Sequence, residues 1–91
     1  MDHCKVSIII VSYNTLDLTL EAIRSVYDQT RIPFELIVVD NASSDGSPDA
    51  IRHQYPDLHL VPLDDNLGFA AANNLAARIA SGQFVLLLNP D

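Results

Sequence analysis

Four short apolar runs, separated by stretches with helical spacing, constrain this chain more than any other feature of its sequence. The first run, Val6 to Val11, is almost continuously valine and isoleucine, which is typical of a strand covered on both faces. The other three runs are Phe34 to Val39, Leu58 to Leu63 and Phe84 to Leu88. Because the runs alternate with helical segments, the sequence predicts one α/β unit with the order βαβαβαβ.

Capping residues mark the three connecting helices. Asn14 or Thr15 can cap the first helix, and Ser47, with a proline directly behind it, can cap the second. The third, rich in alanine, begins near Asn66 to Gly68, and we expect Gly82 to end it.

This alternation indicates a mostly parallel four-stranded sheet with helices on both faces. Right-handed crossovers favour the half-Rossmann strand order 3-2-1-4. Pro62 lies inside the third run, which argues for an edge position. The winding direction reverses between the first and fourth strands, and ligands of such sheets bind beside that reversal, at the carboxyl ends of the strands.

Composition excludes several classes of protein. The chain has 91 residues, enough for a single domain, and its 48% hydrophobic content can form a core. Five basic residues against twelve acidic ones give a net charge of −7, which argues against binding nucleic acid. No apolar run approaches the roughly 20 residues of a membrane helix. With Cys4 as its single cysteine, the chain is expected to work in the cytoplasm.

Two residues at adjacent strand ends suit a nucleobase. No glycine-rich phosphate motif follows the first strand. Instead Tyr13 follows it, and Asp40 ends the second strand. An aromatic face can stack on a base, and a carboxylate can accept a hydrogen bond from a base N–H. The alternatives are that Tyr13 packs on the first helix and that Asp40 forms an Asx-turn or caps a helix.

Acidic residues also follow the later strands. Asp91 closes the fourth strand, where its carboxylate could bind a hard divalent cation completed by phosphate oxygens and water. The alternative is that the segment Asn-Pro-Asp forms a turn. The adjacent acids Asp64 and Asp65 are interpreted as a solvated turn.

Four blocks of sequence, in the order in which they occur, resemble the successive blocks of the family-2 glycosyltransferases. They are VSIIIVSYN at residues 6–14, ELIVVDNASSDG at 35–46, NLGFAAANN at 66–74 and VLLLNPD at 85–91. The segments VDNASSDG and LLNPD are similar to the rhamnosyltransferase-like branch. The resemblance implies the GT-A fold and an inverting transferase, which moves a sugar from a UDP- or dTDP-sugar donor to a glycan or lipid-linked acceptor.

The resemblance also implies roles for individual residues. Ser12 and Tyr13 would line the nucleoside pocket, and Asp40 would hydrogen-bond the base. The block after the third strand adds the nucleotide-binding positions Asn66, Gly68 and Asn73. Asp91 matches the last acid of the family's metal motif and would hold Mg²⁺ or Mn²⁺ on the diphosphate, although Asn89 stands where many members have the first acid.

In the family, the catalytic base and the acceptor site lie downstream of the metal motif. Residues 1–91 are therefore expected to be the donor-binding N-terminal part of a longer transferase, inactive alone. The full-length parent would be cytoplasmic, with a peripheral position at the membrane. Because the fourth strand would have no outer neighbour, we expect its edge to promote self-association.

The sequence also leaves two alternative functions open. A nucleotidyltransferase shares a similar half-sheet but carries a glycine-rich loop with arginine and lysine after the first strand. A flavodoxin-like or receiver-like module needs a phosphate loop or an acidic cluster at that point. The chain has Ser12, Tyr13 and Asn14 there, which favours neither.

Overall fold

The structure is a computed structural model that describes residues 5–90. Four strands and three helices alternate along this part of the chain. The strands are β1 (Val6–Ser12), β2 (Phe34–Asp40), β3 (His59–Pro62) and β4 (Phe84–Leu87), and the helices are α1 (Leu16–Gln29), α2 (Ser47–Gln54) and α3 (Phe69–Ile79). The predicted order βαβαβαβ is confirmed.

The strands form a parallel sheet in the order β3-β2-β1-β4. Ser12 at the end of β1 pairs with Asp40 at the end of β2, and Asp40 pairs with Pro62 of β3. The carboxyl ends of these three strands therefore lie at one rim of the sheet. The predicted strand order is confirmed, and so is the edge position of Pro62.

Alternation along the strands divides the core into two layers. Ile8 and Ile10 of β1 face α1 and α2, where they pack with Ile23 and Ile51. The intervening residues of β1 and β2 face α3, in a cluster of Ile9, Val11, Ile37, Val39, Ala72 and Ala76. Helices therefore cover both faces, as the continuous apolar strands predict.

Two predicted helix boundaries were wrong. Helix α2 begins at Ser47 itself, and its N-cap is Gly46 with a left-handed φ of 81°. Helix α3 ends at Ile79, with Ala80 as its C-cap. Gly82 has a different role, because a Cβ atom there would lie 2.6 Å from the backbone nitrogen of Ser7. The glycine allows the α3–β4 connection to pass against β1.

Strand β4 is the most exposed part of the sheet. Its four residues, Phe84 to Leu87, are each 47–62% exposed although all are apolar. β4 pairs with β1 on one side and is the outermost strand on the other. Among residues 5–90, no helix is both long enough and apolar enough to cross a membrane.

Candidate functional site

A cavity of about 380 Å³ opens at the carboxyl ends of β1, β2 and β4. It lies beside the point where the winding of the sheet reverses, the place predicted from strand order. Its walls come from the segments that follow the strands and from the start of α3. The lining residues are Val11, Tyr13, Thr15, Asn41, Asn66, Gly68, Phe69, Asn89 and Pro90.

Three predicted site residues meet in this cavity: Tyr13, Asn66 and Gly68. The Tyr13 side chain is 49% exposed, so its ring is available to a ligand. Gly68 has φ 85° and ψ 166°, a combination that is essentially restricted to glycine. The Asn66 carboxamide oxygen accepts a hydrogen bond from the Gly68 N–H at 2.8 Å, which stabilises this bend at the start of α3.

Asp40 lies at the end of β2 but does not line the cavity, because it is 1% exposed. Its Oδ2 accepts a hydrogen bond from the backbone N–H of Ser43 at 2.9 Å, which is the Asx-turn contact predicted as the alternative to base binding. The other oxygen, Oδ1, is buried and has no hydrogen-bond partner among the described residues. A buried acceptor without a partner is costly, so Oδ1 is a candidate to receive a ligand N–H.

Two further predicted residues do not line the cavity. The Ser12 hydroxyl is buried and shares hydrogen bonds with the hydroxyls of Thr19, at 2.9 Å, and Thr15, at 3.4 Å. It therefore anchors the end of β1 to α1. The side-chain amide of Asn73 donates to the Phe69 carbonyl oxygen at 3.1 Å, one turn earlier in α3. Both residues stabilise segments that form the walls of the cavity.

The cavity is also lined by residues that were not predicted to bind a ligand. Asn41, Thr15 and Phe69 line the cavity, and Phe69 is 60% exposed. Their positions in the sequence could have indicated Asn41 and Phe69, because Asn41 directly follows a predicted strand and Phe69 directly follows Gly68. With Tyr13 on the facing loop, Phe69 places a second aromatic ring at the cavity.

The loops after β1 and β2 are joined by a hydrogen-bond network. Asn14 donates its backbone N–H to the Ser43 hydroxyl at 2.8 Å, and its carboxamide oxygen accepts from the Ser44 N–H at 2.8 Å. Asn14 and Ala42 both have positive φ, 51° and 65°, which is uncommon for residues other than glycine. The strained turns that carry Tyr13 and follow Asp40 therefore support each other.

Asp45 completes this network at the starts of two helices. One of its oxygens accepts from the Leu16 N–H of α1 at 3.1 Å, and the other accepts from the N–H of Ser47 in α2 at 3.0 Å and from the Ser47 hydroxyl. The hydrogen bond from the Ser47 hydroxyl, with the backbone bonds, lowers the pKa of Asp45 against a smaller opposing effect of burial. The carboxylate is therefore held ionised.

The predicted metal ligand, Asp91, lies outside the described residues. Within residues 5–90, no three acidic, histidine or cysteine side chains are grouped as a metal site would require. Asn89 and Pro90 nevertheless bring the end of β4 to the cavity wall. The Asn89 carboxamide carries an oxygen of the type that Mg²⁺ and Mn²⁺ accept as a ligand.

Comparison with known proteins identifies relatives over nearly the whole chain. Residues 7–91 match the model of the family described as glycosyl transferase family 2. TuaG of Bacillus subtilis (strain 168), assigned to teichuronic acid biosynthesis as a glycosyltransferase, is 39% identical over 90 residues. That alignment covers 94% of this chain and 35% of TuaG. The chain thus spans about a third of the length of this relative.

Solved structures share the fold. The mannosyltransferase PcManGT from Pyrobaculum calidifontis, in complex with GDP-Man and Mn²⁺, superposes with a TM-score of 0.82 at 34% identity, covering 100% of this chain and 28% of its own. Residues 1–349 of S. aureus TarS, in complex with UDP-GlcNAc, give a TM-score of 0.85 at 32% identity, with coverage of 96% and 26%. The sheet is therefore of the GT-A type. These matches favour the glycosyltransferase interpretation over the nucleotidyltransferase and the flavodoxin-like or receiver-like alternatives.

Proposed function

The chain belongs to glycosyl transferase family 2, and from this premise we propose that it is the part of a transferase that binds a nucleotide-diphosphate sugar donor. The single observation that carries the proposal is the orphaned Oδ1 atom of Asp40. It is a buried carboxylate oxygen without a partner in the described part of the chain, at the strand end where the neighbouring residues form a cavity. An N–H group of a base would satisfy it.

The base is proposed to bind between an aromatic ring and this carboxylate. Tyr13 offers a half-exposed ring for stacking, an interaction that any base can make. Asp40 adds selection for a base that carries a ring N–H. Uracil and thymine both have an imide N–H, so a UDP- or dTDP-sugar is compatible with this contact, and we propose one of these as the donor. Because Oδ1 is closed off from solvent, the base reaches it through a small rearrangement of the strand end.

The diphosphate is proposed to lie near the end of β4, with Mg²⁺ or Mn²⁺ held by Asp91 and by phosphate oxygens. When bound, such a cation offsets the negative charge of the diphosphate leaving group. Asn89 lines the cavity directly before this position. A carboxylate can bind a hard cation and can also accept a base N–H. We assign the first role to Asp91 and the second to Asp40.

The remaining steps of the reaction are proposed from the family relationship. The parent would transfer the sugar with inversion to a glycan or lipid-linked acceptor, as in the rhamnosyltransferase-like branch that LLNPD resembles. Residues 1–91 would supply donor binding, and another part of the parent would supply the base that deprotonates the acceptor. We place the parent in the cytoplasm, peripheral to the membrane, and the single cysteine supports the cytoplasmic part of this proposal.

The variant Asp40→Asn tests the proposal. The Asn carboxamide keeps an oxygen for the Ser43 N–H but puts an NH₂ group where Oδ1 accepts. We expect UDP binding to weaken by ~1–3 kcal/mol in calorimetry. The matched control is Asp64→Asn in an exposed loop, which should bind UDP as the unchanged chain does. Equal affinity of all three proteins would refute the assignment of Asp40.

A comparison of UDP with CDP tests the same contact. CDP has the size and phosphates of UDP, but its ring N3 is an acceptor and carries no hydrogen. We expect the unchanged chain to prefer UDP and the Asp40→Asn variant to lose that preference.

The variant Asp91→Asn tests the proposed cation ligand. It should remove the increase in UDP affinity caused by Mn²⁺ and leave UMP binding intact. An undiminished Mn²⁺ effect would assign Asp91 to a turn.

A further inference from the structure

Asn41 connects three parts of the site through its backbone and side chain. It directly follows β2 and is 3% exposed. Its backbone N–H donates to the Ser12 carbonyl oxygen at 2.8 Å. Its Oδ1 accepts from the Leu67 N–H at 2.8 Å, and its Nδ2 donates to the Gly68 carbonyl oxygen at 3.1 Å. One side chain thus ties the end of the central strands to the start of α3.

The segment held by Asn41 forms one wall of the cavity. Asn66, Gly68 and Phe69 all line it. A Cβ atom on Gly68 would meet no atom within 4 Å, so the backbone at this point borders open space. The Gly68 carbonyl also accepts the first helical hydrogen bond, from Ala72 at 3.2 Å. The position of this wall therefore depends on the contacts made by its backbone.

We propose that Asn41 is a positioning residue for the donor: it holds the Asn66–Phe69 wall at the distance from Tyr13 that a bound nucleotide requires. The inference rests on the proposed function and adds to it a residue that acts through the backbone of Leu67 and Gly68. A planar amide is suited to this role because it offers an acceptor and a donor side by side. An ionised carboxylate lacks the donor, and an aliphatic side chain lacks both.

Two substitutions separate the contribution of the Asn41 acceptor from that of its donor. Asn41→Asp keeps the size and the acceptor for the Leu67 N–H, but it loses the donor to the Gly68 carbonyl. Asn41→Leu removes both hydrogen bonds and keeps the branched shape of the side chain. We expect UDP affinity, followed by amide chemical shifts in NMR titrations, to fall about fivefold or more in each. Asn74→Asp and Asn74→Leu on the exposed side of α3 are the matched controls and should bind UDP normally.

A second readout reports on the contact itself. Hydrogen exchange at the Leu67 amide should remain slow in Asn41→Asp and become fast in Asn41→Leu, with the β1 and β2 amides still protected in both. A variant that loses the Leu67 protection but binds UDP normally would overturn the inference. So would unfolding of both variants, because Asn41 would then be required for the fold. If the unchanged chain fails to bind UDP, the proposed function fails first, which is a distinguishable result.

Discussion

An oxygen of the Asp45 carboxylate lies 3.1 Å from the backbone nitrogen of Leu16, so a residue of the β2–α2 loop caps helix α1. The residue at the N-cap position of α1, Thr15, makes no side-chain capping bond there; its hydroxyl lies instead beside those of Ser12 and Thr19. The cap is therefore supplied from 29 residues further along the chain. This contact links the stability of α1 to the loop that follows Asp40.

We predict that Asp45→Ala destabilises the chain by ~0.5–2 kcal/mol, the usual cost of losing a helix cap. Both α1 and α2 lose a hydrogen-bond acceptor at their first turns. Urea denaturation followed by circular dichroism measures the change. Asp65→Ala, in an exposed loop, is the control and should leave the midpoint unchanged; a similar loss in both variants would argue against the capping role.

Glu35 lies at the opposite end of the sheet, and we expect it to make the stability of the fold depend on pH. Its Oε2 accepts from the Ser7 hydroxyl at 2.5 Å, and from the Ser81 N–H at 2.5 Å and hydroxyl at 2.9 Å. Partial burial raises the pKa of Glu35, but these hydrogen bonds outweigh it and lower the pKa below its ordinary 4.5. The stabilisation is therefore fully present above pH 4.5 and is lost as the pH falls through the lower, folded-state pKa.

We expect Glu35→Gln to cost about 1 kcal/mol at neutral pH, a small value because the group is partly solvated. The difference from the unchanged chain should shrink as the pH falls below the ordinary pKa of Glu35. Urea titrations across this range test the sign. A difference that stays constant with pH would show that the ionised carboxylate is not the stabilising form.

Gly82 predicts a steric effect on the attachment of β4. In Gly82→Ala the new methyl group would lie 2.6 Å from the Ser7 nitrogen, and such overpacking costs ~1–3 kcal/mol. The amides of Phe84 and Leu88, which donate to the Lys5 and Ile9 carbonyl oxygens, should then exchange faster with solvent. Gly46→Ala is the comparison, since its Cβ would meet open space and its cost of ~1–2 kcal/mol comes from positive φ alone. Unchanged exchange at Phe84 would contradict the close approach.

The exposed edge strand predicts self-association of the 91-residue chain. β4 presents four apolar residues and an outer edge, a combination that promotes pairing with another chain. Sedimentation equilibrium at micromolar to millimolar concentration should show dimers or larger species, and Leu86→Lys should shift them towards the monomer. Leu18→Lys, on the 42% exposed Leu18 of α1, should not. A monomeric unchanged chain would refute this prediction.

The strands could be predicted because each is a short apolar run, and the continuous runs of β1 and β2 are buried on both faces of a parallel sheet. The strand order followed from the right-handed crossovers of such sheets. Tyr13 and Asn66 could be placed at one rim because they follow β1 and β3, two strands of the same parallel sheet, and the family resemblance added Gly68. The directions of the side chains could not be predicted from the order of the strands. Ser12 points to Thr19, and Asn41 reaches Leu67, through contacts that depend on packing between distant segments.

Helix ends were less predictable for a related reason. Gly82 has the residue type of a C-cap, but α3 ends three residues before it. The requirement for glycine arises from the approach of the chain to Ser7, a contact between segments 75 residues apart in sequence. Local sequence contains no signal for such a contact.

Binding of a nucleotide in the cavity can be observed by an NMR titration of the isotope-labelled 91-residue chain with UDP. We predict saturable shifts of the amides of Tyr13, Asn41 and Gly68, with a dissociation constant on the order of millimolar. The same titration with CDP should give smaller shifts at these positions. An absence of saturable shifts, or shifts confined to residues remote from the carboxyl ends of the strands, would show that the cavity does not bind the nucleotide.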